Sequence, residues 1–215
     1  MSLSRRTLLL AGAPVIALSG AVSSFAPRSA RAADAVPATA DPRMSERALG
    51  SPSAKVVVQE WFSLTCTHCA RFSQIVFPEV KAKLIDTGRI RYVSRDFPLD
   101  QVALVAAMVA RALPPERYQP FVDSLFASQD RWAFSQSNDP QVELGKMAAL
   151  AGMSHDTFQH TVDDQSLRQA ILDEQNAGQA KYKIESTPSF IFGSTLFSGE
   201  MEYDTFLKHV TDAGA

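Results

Sequence analysis

From Lys55 to Ser63 the chain is almost continuously apolar, with Val56-Val57-Val58 and Trp61-Phe62 separated only by Gln59 and Glu60. That pattern predicts a central strand covered on both faces. Behind Cys66-Thr67-His68-Cys69 the period changes. Phe72, Val76, Val80 and Leu84 recur every four residues and would line one face of a helix. This helix should bend near Pro78, which removes a hydrogen bond, and end at Gly88. Arg89 to Arg95 alternates like a strand and closes a β-α-β unit. From about 100 to 182 the pattern is helical throughout. Val102, Val105, Val109 and Leu113 form one stripe, stopped by Pro114-Pro115. Tyr118, Phe121, Val122, Leu125 and Phe126 form a second, with Pro120 near its start. Asp139 and Pro140 suit the cap and first residue of a third helix, which Gly152 ends. Ser154 can cap a short helix, and a further one from about Asp164 carries Leu167, Ile171 and Leu172 to near Tyr182. Two strands follow, Pro188 to Phe192 and Thr195 to Ser198, with a turn at Ser194 and a last helix from Glu202 to Val210.

The N-terminus follows a different pattern. Arg5-Arg6 precedes an apolar run from Leu8 to about Val22, and the small-x-small Ala30-Arg31-Ala32 comes after it. A positive n-region, an apolar h-region and an A-x-A site mark residues 1–32 as an export signal cleaved near Ala32. The run is shorter than the roughly 20 residues a membrane span needs, and Gly12 and Pro14 interrupt it. Arg5-Arg6 with Leu8 resembles a twin-arginine signal, although Leu10 stands where a Lys often follows. Residues 33–54 are rich in Ala, Pro, Ser and charge and read as a flexible mature N-terminus without a dimerisation domain, in which 44–50 could form one helical turn or a short strand. A chain of 215 residues with 46% hydrophobic content suits one globular domain with an inserted subdomain. A net charge of −2 gives no basis for binding nucleic acid.

The chemistry centres on the two cysteines, Cys66 and Cys69. The pattern puts Cys66 at or near a helix N-terminus, with Thr65 as a plausible N-cap. Unpaired N–H groups and the positive end of the helix dipole would stabilise a thiolate there and lower its pKa. A protonated His68 would add a positive charge beside it. Cys69, one turn on and more buried, is suited to be the resolving thiol. A C-x-x-C can be half a zinc site, a structural disulfide or a redox pair. Zinc needs more ligands than these, and His155, His160 and His209 lie far away in sequence. A loop this short yields little chain entropy as a structural staple. The redox reading is therefore preferred, with no metal at the site. Export adds weight, because disulfides persist outside the cytoplasm. Glu60 is either an edge residue or a buried acid below the cysteines, with a raised pKa, passing protons to and from Cys69. His155, His160, Asp163 and Asp164 read as solvated surface, and Asp96 with Arg95 as a surface pair or cap. Met108, Met147 and Met153 read as core. Trp132 and Phe134 are either satellite core or cleft residues. No Gly-rich phosphate loop follows a strand, so no cofactor is expected.

Strand, Cys66-Thr67-His68-Cys69, helix, and the distant Thr187-Pro188 before Ser189-Phe190-Ile191-Phe192 resemble the thioredoxin superfamily, and within it the bacterial DsbA-like periplasmic thiol:disulfide oxidoreductases. The resemblance covers Lys55 to the C-terminus. It implies an α/β thioredoxin fold, formed by 55–99 and 183–215, with an inserted helical subdomain at 100–182. It implies that Glu60 is the family's buried acid and Pro188 its cis-proline, with Thr187, Pro188 and Thr67 meeting the substrate. It also implies a monomer that introduces disulfides into exported proteins with free thiols, reoxidised by a membrane quinone-linked partner of the DsbB type. A disulfide isomerase or reductase is the main alternative. A periplasmic peptide-binding or chaperone module and a metal-binding protein are the others.

Overall fold

A computed structural model describes residues 41–214. The expected export signal, its expected Ala30-Arg31-Ala32 site and residues 33–40 lie outside the described residues. Five strands form one sheet: β1 (Arg47–Leu49), β2 (Val56–Phe62), β3 (Ile90–Asp96), β4 (Ser189–Phe192) and β5 (Thr195–Ser198), in the order β1-β3-β2-β4-β5. β2 runs parallel to β3, from Val56 opposite Ile90 to Phe62 opposite Asp96. It runs antiparallel to β4, from Val58 opposite Phe192 to Trp61 opposite Ser189. The β-α-β crossover is the irregular helix behind the cysteines. α1 (Thr67–Arg71) passes through a π-turn (Phe72–Val76) into α2 (Phe77–Val80), which carries Pro78, and a second π-turn (Lys81–Ile85). The missing N–H of Pro78 thus falls between two wide turns rather than at one kink. Phe72, Val76, Val80 and Leu84 are all buried, as the four-residue spacing requires.

Between β3 and β4 lie α3 (Gln101–Ala112), α4 (Pro115–Ala127), α5 (Gln129–Trp132), α6 (Pro140–Leu150), α7 (His155–Asp163) and α8 (Gln165–Tyr182); α9 (Tyr203–Asp212) closes the chain. Their starts follow the capping residues. Asp100, Asp139, Ser154 and Asp164 each accept backbone N–H groups of the helix they open, and Pro140 stands in the first turn of α6.

β2 serves three cores. Val56 and Val58 pack with Phe72, Val80 and Phe206 on one face of the sheet. Trp61 turns to the other face with Phe97, Ile184 and Ile191. Phe62 enters the core of the inserted helices, which also holds Leu64, Cys66 and Cys69. Val57 is exposed, so both faces are covered only toward the C-terminal end of the strand, the end that leads to the cysteines. Gly178 in α8 makes this possible. A Cβ there would collide with the Trp61 ring, so the missing side chain lets α8 lie directly on β2.

Two expectations change. The N-terminal segment is anchored from residue 41: a 3-10 turn (Pro42–Met44) leads into β1, which pairs with β3. Arg43 bridges Asp41 and Asp164, and Arg47 donates to the Arg111 carbonyl at 3.2 Å. Asp96 and Arg95 are not a surface pair. Asp96 is buried against the buried Arg111, whose guanidinium also reaches Glu174 at 2.9 Å, while Arg95 pairs with Glu174 at 2.7 Å. A charge buried this deeply needs a partner, and α3 and α8 supply both. Met108 and Met153 are core, and Met147 packs at its edge. Trp132 is fully buried, whereas Phe134 is half exposed.

Candidate functional site

At the end of β2 the chain turns through Ser63-Leu64-Thr65, closed by the Cys66 N–H donating to the Ser63 carbonyl at 3.0 Å. The N-cap of α1 is Cys66 itself, in extended conformation, and not Thr65. Its Sγ accepts the Cys69 N–H at 3.4 Å. Thr65 instead donates from Oγ1 to Asp100 Oδ2 at 2.6 Å, tying the loop to the start of α3. A sulfur in the capping position takes the place of a Ser or Asp oxygen, so the helix's free N–H groups are offered directly to it. On its other side, Cys66 Sγ lies 3.3 Å from the Thr187 carbonyl, and the Thr187–Pro188 peptide is cis. The Thr187 Oγ1 is buried and has no hydrogen-bond partner among the described residues. The structure thus brings Cys66, Cys69, Thr187 and Pro188 together from opposite ends of the sequence.

Both thiols are free, and their surroundings push them apart. The Cys66 thiol is pulled down to about 5. The Cys69 thiol as a donor is the largest cause; burial opposes it, and the backbone N–H groups of Cys69 and His68 reinforce it. The Cys69 thiol is pushed well above its ordinary value, first by burial and then by its interaction with Cys66 and the charge of Glu60. Cys66 is therefore a thiolate at neutral pH and Cys69 a protonated thiol.

Glu60 is buried, accepts from the Tyr92 hydroxyl at Oε2, and has no partner for Oε1 among the described residues. Burial raises its carboxyl to about 8, against the Tyr92 hydrogen bond, with the Cys66 charge a smaller cause. The folded protein keeps a proton that an ordinary glutamate gives up near 4.5, so this group makes folding stability fall as pH rises from about 4.5 to about 8. Glu60→Gln keeps the acceptor for Tyr92 and removes the ionisation. It should stabilise the protein by on the order of 3 kcal/mol near pH 8 and by nothing near pH 4. Urea titrations at the two pH values check this; a variant as pH-sensitive as the wild type would contradict it.

Thr67 and His68 are exposed at the mouth of the site. The His68 ring points toward Glu200, with Nδ1 3.4 Å from Oε1, a carboxylate that Arg71 also approaches at 3.5 Å. The His68 ring thus has its acidic neighbour in Glu200, and the His68 backbone N–H is the last of the groups that lower the Cys66 thiol. Sequence reasoning missed Glu200, Asp100 and Gln129. Gln129 donates from its side-chain amide to the carbonyls of Leu64 (2.8 Å) and Cys66 (3.1 Å). Each is distant in sequence from the motif, and only the fold brings it near. His155, His160, Asp163 and Asp164 form no site. Among the described residues no group of three or more His, Cys, Asp or Glu side chains could hold a metal, and no helix is long and apolar enough to cross a membrane.

Residues 43–212 match the Thioredoxin family. The fold superimposes on Wolbachia pipientis alpha-DsbA1 with a TM-score of 0.73 and 30% identity, covering 79% of this chain and 91% of that one. This chain is a DsbA-like member of the thioredoxin family. The DsbA-like chain is also 33% identical over 147 residues to a Rickettsia bellii protein named "Putative protein-disulfide oxidoreductase", covering 68% of this chain and 56% of that protein. It spans little more than half the length of such curated relatives. BdbD from Bacillus subtilis shares the fold, with a TM-score of 0.68 at 18% identity. In this DsbA-like chain, as expected for its fold class, helices α3–α8 are inserted between two strands of the thioredoxin sheet.

Proposed function

We propose that this protein is an exported thiol:disulfide oxidoreductase that introduces disulfides into other exported proteins through Cys66 and Cys69. The observation that carries the reading is the split between the two thiols: a thiolate-favouring Cys66 at the helix cap, backed by a buried, protonated Cys69. In the oxidised enzyme a substrate thiolate attacks the Cys66 sulfur, and the Cys66–Cys69 bond breaks with its electron pair going to Cys69. Cys69 takes up a proton, for which Glu60, carrying one at neutral pH, is the source. A second substrate thiolate then attacks the substrate sulfur of the mixed disulfide. The substrate disulfide forms, and Cys66 leaves as the thiolate its surroundings favour. Two electrons have passed to the enzyme. Because those surroundings stabilise the reduced form, they make the disulfide a strong oxidant.

The Thr187 backbone beside Cys66 suits pairing with an extended substrate segment, next to the cis Pro188 and the exposed Thr67 and His68 that follow Cys66 in the chain. Residues 1–32 act as the export signal to the periplasm, twin-arginine-like in form. Segments 55–99 and 183–215 carry the chemistry, and 100–182 is the inserted subdomain. The protein works as a monomer and is reoxidised by a membrane quinone-linked partner of the DsbB type. The test mixes the oxidised enzyme, without oxygen, with a reduced unfolded protein that has several thiols. The expected result is one substrate disulfide per enzyme disulfide consumed. Reshuffling of a scrambled substrate without net oxidation would favour an isomerase instead.

A further inference from the structure

We propose that Gln129 is a positioning residue through which the inserted helices set the reactivity of Cys66. The inference rests on the exchange reading of Cys66–Cys69 and assigns to the insertion a part in it. Gln129 opens α5 and is buried, at 6% exposure. Its amide nitrogen spends both hydrogens on the loop that carries the motif, one on the Leu64 carbonyl at 2.8 Å and one on the Cys66 carbonyl at 3.1 Å.

The Cys66 carbonyl also accepts the Ala70 N–H at 3.1 Å, so both its lone pairs are occupied. The peptide following Cys66 is therefore held from the helix side and from α5 at once. That orientation aims the Cys69 N–H at the sulfur. The two amide hydrogens also offset the negative ends of two carbonyl dipoles lying within a residue or two of a thiolate, in a buried setting where such dipoles act strongly. The donor comes from a fixed frame. Trp132 in α5 is 1% exposed, donates to the Leu125 carbonyl at 2.8 Å, and shares a core with Leu64, Cys66 and Cys69. Two other ties join the insertion to the region of the motif, Thr65 to Asp100 and Gln74 to the Phe126 carbonyl, but neither touches the Cys66 backbone.

A contact that is equally good in both redox forms changes their stability equally and leaves the potential alone. A contact that acts on the thiolate does not. Gln129→Met keeps length and bulk and removes both donors; Gln129→Asn keeps the amide one methylene short, so that it reaches at most one carbonyl. The measurements are the midpoint of thiolate ultraviolet absorbance in the reduced protein and the equilibrium constant with glutathione. In Gln129→Met the midpoint should rise, and the equilibrium should move about tenfold toward the enzyme disulfide, equivalent to a potential about 30 mV lower. Gln129→Asn should fall between this and the wild type, and serves alone if the Met variant does not fold. Wild-type values in the folded variants, whatever their melting temperature, would overturn the proposal. Wild-type protein that exchanges no disulfide with glutathione would sink the functional reading instead, while the thiolate midpoints of the reduced proteins would still decide the role of Gln129.

Discussion

Cys69→Ala should lose turnover by on the order of a thousandfold or more and, in the same experiment, accumulate stable mixed disulfides with substrate through Cys66. Both halves follow from burial and thiol chemistry. Cys66 caps α1 next to Thr187 at the cleft, and its thiol is held near 5, so at neutral pH it is the group that reacts with an incoming disulfide or, once oxidised, receives an incoming thiolate. Cys69 has no exposed surface and a thiol pushed well above its ordinary value, so it meets no substrate directly. Its part is to close back on Cys66. Without it a captured partner that has no second free thiol of its own leaves only by slow attack from outside. Cys66→Ala should be equally inactive but trap nothing, because the remaining thiol is protonated and enclosed. Non-reducing gels of the two variants after incubation with a substrate activated as a mixed disulfide make the comparison. Equal trapping by both would show that the assigned roles are wrong.

The second large effect concerns stability. The reduced protein should resist denaturant better than the oxidised one at neutral pH, and the difference should shrink as pH is lowered through about 5. The sign follows from the depressed thiol. Between about 5 and 9 the folded reduced protein has released a proton that the unfolded chain still holds, so its stability rises with pH across that window and is lost as pH falls through the folded value. At about pH 7 this amounts to about 2 kcal/mol once screening by solvent at the cleft is allowed for. Glu60 acts in the opposite direction over an overlapping range, but it is present in both redox forms and largely cancels from their difference. The observable is thus the gap between reduced and oxidised unfolding midpoints. A gap that is constant from about pH 4 to about pH 8 would rule out a thiolate stabilised by the fold.

Much of this architecture was legible in the chain because its signals are local. The change from strand to helix period around Cys66-Thr67-His68-Cys69 placed the motif correctly, and Asp139-Pro140, Ser154 and Asp164 marked helix starts that the structure repeats. What stayed hidden depends on tertiary contact. Thr65 looked like the cap because a hydroxyl before a helix usually is one. The turn at Ser63 instead carries the cap one residue on and leaves Thr65 for Asp100. Asp96 looked like a surface charge because its partners, Arg111 and Tyr118, come from the inserted helices. Gln129 had no periodicity or spacing to distinguish it, since its contacts with the Leu64 and Cys66 carbonyls depend on which backbone the fold brings to α5. Phe134 and Trp132, two residues apart, divide between surface and core for the same reason.

The reduction potential of Cys66–Cys69, measured by equilibration in glutathione buffers and alkylation of the remaining thiols, tests the central claim most directly. A stabilised Cys66 thiolate predicts a potential well above thioredoxin's value of about −270 mV, in the range of enzymes that donate disulfides. A potential at or below that value would contradict the account and leave a reductase as the reading to pursue.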